Sequence, residues 1–153
     1  MNICILHIGV SNNQLKNKHE ASPIRFQNLL APFLPNAKWS TIHCLDEIIP
    51  NNTGEFDAYL ITGGKYSVFE NIEWQNNLFS FIQKIYSANI PLIGVCYGHQ
   101  AIAHALGGKV ERHKGGWGAG TTSLNINNKP KWLNGISEEI NLYAMHQDQV
   151  TKL

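Results

Sequence analysis

The chain has 153 residues, a formal net charge of +1, 15% charged residues and 43% hydrophobic residues, values that fit a single domain over residues 1–153 with a usable core. So small a net charge excludes a bulk electrostatic pull toward nucleic acid or an acidic membrane surface, and no apolar run approaches the roughly 18 residues that a membrane-spanning helix needs. Three cysteines without framework spacing, and an N-terminus that lacks a basic start and a small-residue cleavage site, predict a reducing, cytoplasmic setting.

Asn2 to Gly9 is almost wholly apolar and is expected to form a central parallel strand, with Cys4 in its core. Val10 to Ser22, rich in Asn and Lys, is expected to be a loop. Ser22-Pro23 predicts a helix start, with serine as cap and proline at the first position. Phe26, Leu29, Leu30 and Phe33 fall on one helical face, and Pro32 ends or bends that helix. Trp39 to Leu45 predicts a second strand with Cys44 in its core, followed by the acidic turn Asp46-Glu47 and the surface turn Asn51-Asn52-Thr53-Gly54. Phe56 to Thr62 predicts a third strand. Trp74, Leu78, Phe81, Ile82 and Ile85 recur at helical spacing, a stripe expected to pack onto the sheet. Ile90 to Ile93 reads as a short buried strand. Ala101 to Leu106 reads as a helix that ends at Gly107-Gly108. Lys109 to His113, Thr121 to Ile126 and Asn141 to His146 read as later strands. The alternation predicts an α/β domain whose first half builds right-handed βαβ units and a parallel sheet.

The seven residues Gly94-Val95-Cys96-Tyr97-Gly98-His99-Gln100 join a predicted strand to a predicted helix. A cysteine between two glycines at such a joint is the cysteine form of a nucleophile elbow. The turn is tight, the nucleophile sits in a strained backbone conformation, and side chains at 94 and 98 would collide. The helix behind Cys96 turns its positive end toward the sulfur, which favours the attacking thiolate. The competing reading, a buried structural cysteine, explains neither the flanking glycines nor the helix start. In open α/β sheets ligands bind at the carboxyl ends of the strands, where Gly63-Gly64 should meet the elbow. The main-chain amides of Gly64 and Tyr97 are therefore candidate oxyanion donors. His99 belongs either to the pocket mouth or to the packed or solvated helix surface. Trp117, with glycines at 115, 116 and 118, is expected to form a pocket wall. No His, Cys, Asp and Glu set shows metal-ligand spacing and no phosphate-binding loop occurs, so no metal and no cofactor are expected.

The elbow resembles the nucleophile motif of the class I glutamine amidotransferases, in particular stand-alone members similar to the amidotransferase domain of GMP synthase. Other segments resemble that family in the same order. Asp57-Ala58-Tyr59-Leu60-Ile61-Thr62-Gly63-Gly64 is similar to its strand and oxyanion loop, and Gly107-Gly108-Lys109-Val110-Glu111 to the segment leaving the elbow helix. Lys114-Gly115-Gly116-Trp117-Gly118 is similar to its substrate-side loop, and Ala144-Met145-His146-Gln147-Asp148-Gln149-Val150 to its His-x-Asp-x-Val segment. After the glycine pair this chain has Lys65, where family members often carry a small residue or proline. The resemblance implies a flavodoxin-like class I amidotransferase fold with a mostly parallel central sheet flanked by helices. It also implies that the domain is incomplete at its C-terminus. The family completes its triad with a His-Pro-Glu segment downstream of His-x-Asp-x-Val, and no such segment occurs in residues 1–153. The family histidine that matches His146 is not the catalytic base.

The resemblance further implies hydrolysis of glutamine to glutamate and ammonia through a Cys96 thioester. Gln100 would contact the substrate, or else be a helix-surface glutamine. His146 and Asp148 would order the substrate's amino-acid end, or only their own loop. Two alternatives stand beside it: a γ-glutamyl peptidase on the same fold, and a non-catalytic relic that keeps the pocket without the base. The expected partners are glutamine or a γ-glutamyl compound and a separate ammonia-accepting synthetase, with no nucleic acid and no membrane. An isolated 1–153 chain, with a sheet edge and an apolar face uncovered, is expected to self-associate.

Overall fold

Ile3, Cys4, Ile5 and Leu6 are buried to within a few per cent of completely, because the strand that carries them is hydrogen-bonded on both sides and covered on both faces. That strand, β1 (Asn2–His7), belongs to a computed structural model that describes residues 1–9, 22–46, 49–50, 52–127 and 129–153. The expectations for the loop from Val10, for Glu47 and for Asn51 lie outside the described residues. The described chain divides into two compact units, residues 1–110 with 150–153 and residues 111–149.

The first unit holds a four-stranded sheet in the order β2-β1-β3-β4, with β2 at Lys38–His43, β3 at Ala58–Ile61 and β4 at Leu92–Gly94. All three pairings are parallel, with Ile3 opposite Trp39 and Ala58, and Tyr59 opposite Leu92. Between the strands run the helices α1 (Ser22–Leu30), α2 (Glu73–Ser87) and α3 (Tyr97–Ala105). The predicted α/β fold with a parallel central sheet flanked by helices is the fold observed.

Helix α2 carries the predicted stripe. Leu78, Phe81, Ile82 and Ile85 are buried, and Trp74 packs half-buried against them. Phe81 meets Tyr59 of β3 edge to face, with ring centroids 5.4 Å apart, so the stripe rests on the sheet. Cys4 and Cys44 are both buried in this core, as expected of strand cysteines.

Three expectations need correction. Ser22 is the first helical residue of α1 and not its cap. The buried side of α1 runs through Pro23, Phe26, Gln27 and Leu30, while Leu29 is 64% exposed and Phe33 is 79% exposed. The helix stops at Leu30, ahead of Pro32, so Phe33 leaves the helical register that would have aligned it with Phe26. Strand β4 is not buried: Ile93 is 60% exposed, because β4 is an edge strand of this sheet. Finally, Asp148–Lys152 forms a strand, β8, which pairs with β5 (Lys109–Arg112) in a two-stranded sheet.

In the second unit, β6 (Gly118–Asn125) and β7 (Glu139–His146) pair antiparallel, with Gly118 opposite His146 and Asn125 opposite Glu139. Both strands run longer than their apolar residues foretold, because the ladder extends through Gly118-Ala119-Gly120, which carries no strand signal. No helix among the described residues is long and apolar enough to cross a membrane.

Candidate active site

Strand β4 delivers the chain to Val95, whose N–H donates to the carbonyl of Ile61 at 3.0 Å and so prolongs the ladder by one bond. The backbone then turns sharply. Cys96 adopts φ 54° and ψ −109°, a region that costs a non-glycine residue on the order of 1–3 kcal/mol. The turn is closed by the N–H of Gly98, which donates to the carbonyl of Val95 at 3.0 Å, and by the N–H of Gln100, which donates to the carbonyl of Cys96 at 3.2 Å. Helix α3 begins at Tyr97. The Cys96 side chain is exposed.

The flanking glycines have steric causes. A Cβ on Gly94 would lie 2.4 Å from the carbonyl carbon and oxygen of Gly98, and a Cβ on Gly98 would lie 2.4 Å from the carbonyl oxygen of Ile61. Both collisions are with backbone, which cannot swing aside as a side chain can. The elbow is therefore packed against the end of β3 as closely as main chains allow.

Just past β3, Thr62 is fully buried. Its hydroxyl accepts from the N–H of Ile8 at 3.0 Å and donates to the carbonyl of Gly63 at 3.2 Å, and it lies 3.3 Å from Nδ1 of His7. This ties the carboxyl end of β1 to the Gly63-Gly64 turn. A Cβ on Gly63 would sit 3.2 Å from Cβ and 3.8 Å from Sγ of Cys96, so Gly63 faces the sulfur directly. A Cβ on Gly64 would meet Cγ2 of Ile8 at 2.7 Å and its carbonyl oxygen at 2.8 Å. As the first residue of α3, Tyr97 has a backbone N–H with no partner inside its own helix. Cys96 thus stands between a helix N-terminus and a turn that carries no side chains.

Cys96, Gly64, Tyr97 and Gln100 all belong to the first unit. Tyr97 is fully buried and Gln100 nearly so, which sets aside the reading of Gln100 as a helix-surface residue. His99 is exposed on α3. Trp117, His146 and Asp148 belong to the second unit. There Trp117 is 66% exposed. His146 ends β7 opposite Gly118, and its Nδ1 is buried without a hydrogen-bond partner among the described residues. Asp148 is buried, with Oδ1 3.8 Å from Nε of Arg112, so Arg112 is a partner that residue spacing did not reveal. No group of three or more His, Cys, Asp and Glu among the described residues is placed to hold a metal ion.

Two buried polar side chains in the first unit also escaped the sequence reading. His7 is buried, with its ring edge-on to His43 at 5.2 Å between centroids. Burial first, and the neighbouring His43 second, push its pKa below the usual histidine value of 6.5. Gln75 is fully buried and donates from Nε2 to the hydroxyl of Tyr97 at 3.1 Å. Burial pushes the Tyr97 pKa up, so its side chain remains a neutral phenol. A signal for Gln75 was present: it lies three residues before Leu78 and seven before Ile82, on the apolar face of α2.

Residues 31–153 match the family model for class-I glutamine amidotransferases. Among curated relatives, the chain is 36% identical to the glutamine-hydrolyzing GMP synthase subunit of Saccharolobus solfataricus over 98 residues, 64% of this chain and 50% of that protein. It is 27% identical to gamma-glutamyl peptidase 3 of Arabidopsis thaliana over 124 residues, 76% of this chain and 50% of that protein. Among solved structures, a glutamine amidotransferase from Thermotoga maritima superimposes with a TM-score of 0.74 at 18% identity, covering 96% of this chain and 61% of that one. The chain spans about half the length of the curated relatives it matches.

Proposed function

The chain belongs to the class-I glutamine amidotransferase family, and we propose that within it Cys96 is the nucleophile that hydrolyses the side-chain amide of glutamine. One observation carries the reading: an exposed cysteine at φ 54°, held in a strand-to-helix turn, with Gly63 against its sulfur. The Cys96 thiolate attacks the carbonyl carbon of the γ-amide, and the carbonyl oxygen takes the negative charge. The N–H groups of Gly64 and Tyr97 receive that oxyanion. Collapse of the adduct breaks the carbon–nitrogen bond and releases ammonia. Water then cleaves the γ-glutamyl thioester to glutamate and the free thiol. Gln100, buried on α3 in the same unit as Cys96, is proposed to contact the substrate. Proton transfer is assigned to no residue of 1–153, which contains no His-Pro-Glu segment.

The ammonia would pass to a separate synthetase, a reading favoured by the Saccharolobus relative, whose name makes it one subunit of a GMP synthase. A second substrate class is favoured by the Arabidopsis relative: γ-glutamyl peptides, for which the leaving group is an amine instead of ammonia. The same thioester serves both.

The test combines labelling with turnover. The diazoketone analogue of glutamine should alkylate Cys96, as read by peptide mass spectrometry, and Cys96→Ala should lower hydrolysis by on the order of a thousandfold or more. Relative rates on glutamine and on a γ-glutamyl dipeptide assign the substrate class. A Cys96 that reacts with iodoacetamide but ignores the diazoketone, in a protein without turnover, would replace this reading with a non-catalytic binding role.

A further inference from the structure

Gln75 is the third residue of α2 and is completely buried. A primary amide placed there costs a few kcal/mol unless its hydrogen-bonding groups find partners. They do, on three different segments. Nε2 donates to the carbonyl of Ser67 at 2.7 Å and to the hydroxyl of Tyr97 at 3.1 Å, and Oε1 accepts from the N–H of Ile72 at 3.4 Å. The partners themselves fix the orientation of the amide, since a carbonyl can only accept and a backbone N–H can only donate. Ser67 is three residues past Gly64, and its own N–H donates to Oε1 of Glu70 at 2.8 Å, which closes that turn. Tyr97 is the residue after Cys96, with its ring wedged beside Trp74 at 6.0 Å between centroids.

The two main-chain N–H groups assigned to the oxyanion thus sit at the ends of two segments that meet at one side chain. Such donors accelerate acyl transfer only when they are aimed in advance, and aim is lost over displacements of about 0.5 Å. The Gly63-Gly64 turn carries no side chains of its own and is held at its start by the Thr62 hydroxyl, so its far end depends on the segment that follows. The elbow, strained at Cys96, holds its conformation only if its surroundings over-determine it. We propose that Gln75 is a positioning residue for the acyl-transfer site: its amide couples the Gly63–Ser67 segment to the Tyr97 ring and keeps the Gly64 and Tyr97 N–H groups converging on one point. The proposal rests on the assignment of Cys96 and those two amides made above.

Three variants of the full chain test it. Gln75→Met keeps length and volume but removes the hydrogen bonds. Tyr97→Phe keeps the ring and the backbone N–H but removes the acceptor. The third combines both. The first readout does not depend on activity. Amide hydrogen exchange should quicken in Gln75→Met both at Gly64 to Ser67 and at Gly98 and Gln100, whose N–H groups close the elbow turn, while Cys4 to Leu6 in β1 stay unchanged. Tyr97→Phe should quicken exchange at Gly64 to Ser67 although it alters only the elbow, and it keeps the proposal open to refutation if Gln75→Met does not fold. The second readout is kcat per Cys96 titrated with the diazoketone. Gln75→Met should lower it about tenfold with KM within about twofold, and the double variant should fall no further than the worse single one. A side chain that only supports the fold would lower the melting temperature and the titrated fraction and leave kcat per titrated site unchanged. That result, or unchanged exchange across both segments, overturns the proposal. If the parent protein neither titrates nor turns over, the functional assignment fails, and exchange alone then decides whether Gln75 couples the two segments.

Discussion

His7 shows how a single buried side chain ties stability to pH. It closes β1 at the carboxyl edge of the sheet, with Thr62 at 3.3 Å on one side and the His43 ring on the other. Burial and His43 both disfavour its charged form, so its folded pKa lies below 6.5. In the unfolded chain the same imidazole takes up a proton near 6.5. As pH falls through that value the unfolded state binds the proton first, and stability drops. Above 6.5 both states are neutral and His7 contributes no slope. The expected outcome is a urea midpoint that falls between about pH 7.5 and about pH 5.5 in the parent protein, and falls less in His7→Gln. Taking the difference in slope removes the contributions that the two proteins share. Equal slopes would mean that the site accommodates imidazolium. The place of His7 in the first strand could be read from the chain, but neither the strand's end at His7 nor its depressed pKa could. That shift depends on burial first and on His43 second, and His43, 36 residues away in sequence, arrives only through the parallel register. The glycines at 94 and 98 were legible for the opposite reason, since a turn so tight dictates its own residues.

The elements differ in how much of their stability they bury. Helix α2 sinks four apolar side chains into the core, and its period of 3.6 made that face plain in the sequence. Strand β4 was harder. A run of four apolar residues looks the same whether one face or both are covered, and Ile93 proved to face outward. The β6–β7 pair is the weakest element by this measure. Between residues 111 and 149, Asp148 is the one buried residue among those described, and the two strands are joined chiefly by their backbone ladder and by pairs such as Ser123 with Asn141. Two-stranded ribbons of this kind are marginal in water without an apolar face. Amides of residues 118–125 and 139–146 should therefore exchange by local opening, orders of magnitude faster than those of Ile3 to Leu6, whose exchange needs global unfolding. Equal protection in the two sets, measured by native-state hydrogen exchange, would show that the ribbon opens only with the core.

At the scale of the molecule, the first unit carries the buried core and also an open boundary. Its sheet has β4 as an edge, and the outward residues there are apolar: Ile93, and Val95 just beyond it, are both exposed. Edge strands in stable monomers are commonly guarded by a lysine, a proline or a bulge. Pro91 stands only at the entrance to β4, and Leu92-Ile93-Gly94 contains no charge. Among the described residues no further strand pairs with β4 on that side, and such an edge beside exposed Ile93 is a template for another strand. A 1–153 chain studied alone should thus associate as its concentration rises, with a weight-average mass by light scattering that climbs above 17.1 kDa. Ile93→Lys places a charge on that edge without touching the buried face, and it should shift the onset of association upward by about tenfold in concentration. A parent chain that stays monodisperse at 17.1 kDa up to high concentration would mean that the edge is already protected. An Ile93→Lys chain that associates as readily as its parent would move the contact elsewhere, to exposed side chains such as Phe33, Tyr143 or Met145. Mass measured against concentration in the two proteins therefore separates pairing at the β4 edge from attraction between apolar surfaces.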